Sequence, residues 1–132
     1  MATETLRGTL VQLLGLTWRQ GGDMGVNGAM SRLLPQRHPD AFQILLAHHP
    51  HAFDPAAAAG IPLVLSGHTH GGQLMLNERL GAGPAMFRYW SGLYRKPGSA
   101  LFVSNGVGNW FPLRFHAPAE IAKFTLRSVT AS

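Results

Sequence analysis

Apolar positions along the chain fall in short blocks separated by glycine, proline and polar turns, a rhythm that predicts strands joined by loops. Gly8 to Trp18 reads as an apolar-rich strand and Arg19 to Asn27 as a polar, glycine-rich loop. Asn27 is placed to cap a short helix over Gly28 to Leu34, which Pro35 stops because the residue before a proline is pushed out of the helical region. Phe42 to Ala47 is a buried strand ending at His48-His49-Pro50. Asp54 as N-cap, Pro55 at the first helical position and Gly60 as stop predict a small helix, and Ile61 to Ser66 the strand after it. Further strands are expected at Gln73 to Leu76, Met86 to Trp90 and Ala100 to Ser104, with a turn at Asn105-Gly106. Ile121 to Arg127 alternates apolar and polar residues and reads as a half-buried strand.

The connection from His48 to Gly60 is 13 residues long, about the dozen that a parallel crossover needs. Parallel neighbours end at the same sheet edge, so His48-His49 and His68-Thr69-His70 should converge although they lie twenty residues apart in sequence.

Composition narrows the class. The 132 residues are 45% hydrophobic and 13% charged, with 16 glycines and 9 prolines, which fits a strand-and-loop fold better than a helical bundle. The absence of cysteine removes thiolate sites and leaves imidazole, carboxylate or water as metal ligands. The net charge of +5 is scattered, with no basic helix, zinc-finger spacing or RNA-binding signature, so a nucleic-acid partner is not expected. Neither a membrane-spanning apolar stretch nor a signal peptide is visible, and as given the chain reads as cytoplasmic.

Five of the seven histidines, His48, His49, His51, His68 and His70, fall within 23 residues at strand ends. On an extended segment His68 and His70 would point the same way, to one metal or to two adjacent ones. Gly67, Gly71 and Gly72 around them permit backbone conformations closed to other residues. His38 and His116 read as ordinary surface histidines. Met86-Phe87-Arg88-Tyr89-Trp90 and Tyr94-Arg95-Lys96 mix aromatic and basic groups and raise peripheral membrane contact or a phospholipid head group as a secondary reading, against a plain strand pair.

Ile44-Leu45-Leu46-Ala47-His48-His49-Pro50, Leu65-Ser66-Gly67-His68-Thr69-His70-Gly71-Gly72-Gln73-Leu74, Gly92-Leu93-Tyr94 and Val103-Ser104-Asn105-Gly106-Val107-Gly108 resemble the calcineurin-like metallophosphoesterases. The closer likeness is to the bacterial branch with twin-arginine-exported phosphodiesterases and lipid A precursor pyrophosphatases. It covers about residues 42–127. The resemblance implies an α/β (mixed α+β) fold, part of a metallophosphoesterase β-sandwich flanked by short helices, with residues 1–132 one partial domain from its C-terminal portion. It implies two divalent metal ions (Mn, Zn, Fe or Mg), His48 and His68 as ligands of one, His70 as ligand of the other, and Arg114 as a substrate contact, with His49 only a neighbour. The substrate class is a phosphate-containing small molecule or lipid, hydrolysed as monoester, diester or pyrophosphate by a metal-activated water.

The family's Asp-x-His and Gly-Asn-His segments are absent, and the one Gly-Asp, Gly22-Asp23, lacks their context. Those segments supply the bridging aspartate, further ligands and the histidine that assists the leaving group, so no catalytic residue is assigned in this chain. The reading is therefore a truncated phosphoesterase whose missing N-terminal half is its first partner, with a non-catalytic metal-binding or interaction module as the alternative. Half a sandwich would expose an apolar sheet face.

Overall fold

The computed structural model describes residues 1–17, 25–77 and 79–127. Trp18 and the expected loop as far as Met24 lie outside the described residues. The described residues form one six-stranded mixed sheet with short helices: β1 Ala2–Leu6, β2 Thr9–Leu16, α1 Val26–Leu33, β3 Phe42–Ala47, α2 Phe53–Ala58, β4 Leu63–Ser66, α3 Ala82–Met86, β5 Gly92–Lys96 and β6 Ser99–Val103. The strand order is β1-β2-β3-β4-β6-β5. The four central strands β2, β3, β4 and β6 are parallel, and β1 and β5 flank them antiparallel.

Period-two burial decides which face of each strand meets the helices. Leu14, Leu45, Val64 and Leu101 stand in one cross-strand row, and Leu16, Ala47, Ser66 and Val103 in the next. All except Ser66 belong to the core cluster, beside Val26, Ala29, Met30 and Leu33 of α1 and Phe53 and Ala56 of α2. The α1 set has the i, i+3, i+4, i+7 spacing of one helix face. The opposite sheet face is also apolar, yet Leu13, Phe42, Leu46 and Leu93 on it stay exposed. Part of its β6 end is covered where Phe124 meets Phe102 edge-on, with ring centroids 5.1 Å apart. Val11 and Ile44 on the same face are buried, so that face is covered in patches only.

Several local expectations need correction. Asn27 lies inside α1, whose cap position is Gly25, and no side chain caps it. Pro35 does not end the coil there, because Leu34–Gln36 continues as a single tight turn in which proline occupies a first-turn position needing no N–H. Asp54 also sits within its helix, while Gly60 (φ +75°) stops the helix as expected. The Ile61 N–H donates to Ala56 O at 3.0 Å and the Gly60 N–H to Ala57 O at 3.0 Å, the paired bonds of a glycine-terminated helix.

Gln73 to Leu76 forms only single bridges, Leu74 to Phe115 and Met75 to Gly81. Met86 to Trp90 is not a strand: Met86 ends α3, and Tyr89 is buried by side-chain packing without a ladder. Ile121 to Arg127 is irregular and largely exposed, since among the described residues no strand pairs with it and alternation alone cannot satisfy a strand's backbone. Strand β1, unforeseen, is joined to β2 by Arg7-Gly8, whose φ values of +50° and +82° suit a two-residue hairpin turn.

Candidate metal centre

The final residues of four parallel strands, Leu16, Ala47, Ser66 and Val103, are aligned, so the segments that follow begin at one edge. His48 leaves β3 there, His68 leaves β4, and the Ser104 to Gly108 loop leaves β6. The Ser66 hydroxyl donates to His48 O at 3.1 Å and the Gly67 N–H to the same oxygen at 3.3 Å, tying the first two exits together.

At this edge His48 Nε2 stands 3.0 Å from His68 Nδ1. The His49 ring lies 4.0 Å from that of His68 and 5.0 Å from that of His48, centroid to centroid. One ring nitrogen from each of the three falls within 4.8 Å of the others. His49, expected to be only a neighbour, is thus part of the cluster. His70 is brought to the same edge but stands apart, its ring edge-on to Trp110 at 5.4 Å. Its Nδ1 is buried and has no hydrogen-bond partner among the described residues. A buried imidazole nitrogen of this kind can ligate a metal, and the donor set suits a divalent cation.

The histidine loop is not extended, which corrects the simple alternation argument. His68 (φ +74°), His70 (φ +50°) and Gln73 (φ +53°) all occupy the left-handed region. Such conformations cost roughly 1–3 kcal/mol each and persist only where surroundings enforce them. Two buried polar side chains do so. Thr69 donates its hydroxyl to Trp90 O at 2.6 Å. Gln73 donates to Phe111 O at 2.9 Å and to Leu113 O at 2.8 Å, and accepts from the Trp110 N–H at 2.6 Å. Gly72 is required for space as well, because a Cβ there would lie 2.2 Å from Gly83 N.

Burial, then the positive charge of His49, His48, His70 and His51, holds the His68 pKa down at about 4. Burial, then His70, also lowers that of His48. Both rings are therefore neutral near pH 7, with lone pairs available to a cation.

Arg114 lies close by but its guanidinium is directed at backbone. It donates to Ala117 O at 2.9 Å, Asn105 O at 3.1 Å, His70 O at 3.3 Å and Gly106 O at 3.3 Å, and also to Gly108 O and the Asn109 side chain. It fastens the loop after β6 to the histidine loop. Arg88 and Lys96, two of the three basic groups behind the membrane reading beside Arg95, both pair with Asp54, which also accepts from the Tyr89 hydroxyl at 2.8 Å. Among the described residues no helix is long and apolar enough to cross a membrane.

A cleft of about 330 Å³ opens beside the cluster, lined by His49, His51, His68, Phe87 and Arg88 among others. Phe87 lines it, and Trp110 packs against both Phe87 (5.8 Å between centroids) and His68 (6.5 Å). The sequence offered no role for Trp110, Thr69 or Gln73. Polar residues inside a glycine-rich loop were the available signal for the last two.

The chain is 35% identical over 127 residues to an uncharacterized metallophosphoesterase of Bacillus subtilis, covering 92% of this chain and 42% of that protein. It is 39% identical over 103 residues to an uncharacterized metallophosphoesterase of Helicobacter pylori, covering 74% of this chain and 26% of the relative. A protein of Danio rerio named transmembrane protein with metallophosphoesterase domain is 40% identical over 88 residues, covering 64% of this chain and 20% of that one. The chain thus spans less than half the length of the curated relatives it matches. No family model matches it, and no solved structure does.

Proposed function

The chain belongs to the metallophosphoesterase family, and from that premise we propose that it supplies the histidine side of a site that hydrolyses phosphate esters or pyrophosphates with a metal-activated water. The observation that carries this reading is the 3.0 Å approach of His48 Nε2 and His68 Nδ1 at an edge shared with the buried Nδ1 of His70. When bound, divalent cations such as Mn, Zn, Fe or Mg would neutralise phosphoryl charge and lower the pKa of a water.

The chain's own residues do the holding. His48 and His68 present neutral imidazoles and His70 a buried ring nitrogen, and Thr69 and Gln73 fix the backbone from which His68 and His70 project. Arg114 keeps the loop after β6 against them, a positioning task that stands beside the substrate contact expected from the sequence. Phe87 and Trp110 shield one side from water. The carboxylate ligands would come from a further segment of a larger domain, of which residues 1–132 are one portion. The substrate would be a phosphate-containing small molecule or lipid, and a lipid substrate would suit the membrane association that some relatives' names state.

The test is hydrolysis of a chromogenic phosphodiester by the gene product expressed with all its flanking coding sequence and loaded with Mn or Zn. Changing His68→Ala should lower kcat/KM by about a hundredfold or more, since loss even of a group supporting a ligand costs about 10- to 100-fold. Undiminished turnover in that variant overturns the proposal.

A further inference from the structure

We propose that His48, His49 and His68 together hold one divalent cation of the zinc or nickel kind through three imidazoles, so that this chain binds a metal without any carboxylate. This goes beyond the phosphoesterase reading, in which His49 has no part.

Geometry sets His49 inside the site and His70 outside it. Two imidazole nitrogens on one tetrahedral zinc, at about 2.0–2.1 Å each, are about 3.3 Å apart, and the ring centroids about 5 Å. His48 and His68 already stand at 3.0 Å between nitrogens and 4.8 Å between centroids. The His49 ring completes the triangle at 4.0 and 5.0 Å. With all three nitrogens within 4.8 Å of one another, closure asks for side-chain rotation rather than backbone movement. The backbone is already committed: His48 and His49 follow β3 directly, and His68 is turned toward them by its left-handed φ of +74°.

The donors select the ion. Neutral imidazole favours Zn, Ni, Cu and Fe over Mg, Ca and Mn, which prefer oxygen. Three protein ligands leave a fourth tetrahedral position, and His49 and His68 both line the cleft from which a water or a phosphate oxygen would reach it.

The untagged, metal-stripped chain should be titrated with Co²⁺, read by its visible absorption, and then with Zn²⁺ in competition. One equivalent is expected, with no competition from excess Mg²⁺. His49→Gln should raise the Zn²⁺ Kd at least about tenfold, since even a group that only supports a ligand is worth that much. His116→Gln, at a ring whose nitrogen is engaged with Leu76 O outside the cluster, should leave the Kd unchanged. In the parent chain, Zn²⁺ saturation should shift the ring ¹⁵N resonances of His48, His49 and His68 but not of His70, a readout independent of how any variant folds. An unshifted His49 beside shifted His48 and His68 overturns the three-histidine site and leaves the phosphoesterase reading standing. A Kd unaltered by His49→Gln overturns it equally.

Discussion

Gln73 makes three hydrogen bonds from a fully buried side chain, and each one joins the histidine loop to the segment Trp110 to Leu113. Gln73→Leu keeps most of the volume and removes all three. At about 1 kcal/mol per bond the loss approaches 3 kcal/mol. The stranded backbone groups belong to exposed residues and regain some water, which brings the expected value to about 2–3 kcal/mol. That lowers the folded-to-unfolded ratio about 30- to 150-fold, a large part of the 5–15 kcal/mol typical of a whole domain. Urea unfolding followed by circular dichroism should show a lower midpoint with an unaltered slope, the signature of a stability change alone. Gln73→Glu sharpens the test. It keeps an oxygen for the Trp110 N–H but sets the other against the carbonyls of Phe111 and Leu113, so it should destabilise at least as much at neutral pH and recover in part when protonated. A shift of less than about 0.5 kcal/mol for Gln73→Leu, within the range of an ordinary surface change, would refute the idea that this side chain fastens the loop.

Gly72→Ala places a Cβ 2.2 Å from Gly83 N at a φ of +77°; thermal unfolding should report a loss of about 2 kcal/mol or more, and a parental midpoint would show that α3 yields without cost. Burial alone would raise the Asp54 pKa, but its hydrogen bonds with Lys96 and Tyr89 and the charges of Lys96 and Arg88 outweigh that and leave it lowered. A carboxyl held below its unfolded value adds stability that is complete above the unfolded range near pH 4 and disappears as pH falls through the lower folded value. Asp54→Asn should therefore cost about 1 kcal/mol at pH 7, discounted for partial exposure, and progressively less as pH falls below the unfolded range near 4; urea midpoints followed down the acid range check this, and a pH-independent difference would contradict it.

The sequence made the parallel core legible because β2, β3, β4 and β6 are short apolar runs between turn residues, and such runs have few other ways to be buried. The meeting of His48 with His68 followed from the crossover length alone. The parts that escaped depend on partners. β1 has no buried residue and exists because β2 offers a ladder edge. Ile121 to Arg127 has the alternation of a strand without a strand to pair with. The resemblance left His49 as a neighbour only, yet just beyond the end of β3 its ring meets those of His48 and His68. Arg114 carried a substrate role by resemblance, and its contacts add a positioning task, with carbonyls contributed by residues up to 44 positions away, which no local pattern reveals.

The sheet's second side, with Leu13, Phe42, Leu46 and Leu93 already wetted in the folded chain, bears on how stability responds to temperature. The heat capacity of unfolding measures apolar surface newly hydrated, about 12–15 cal/mol/K per residue in ordinary domains. Surface that water touches before unfolding contributes nothing to it. This chain should fall below that range and have a flatter stability curve, shallow at its maximum and changing little on cooling, so that its tolerance of low temperature is set by the side of the sheet that the helices leave bare.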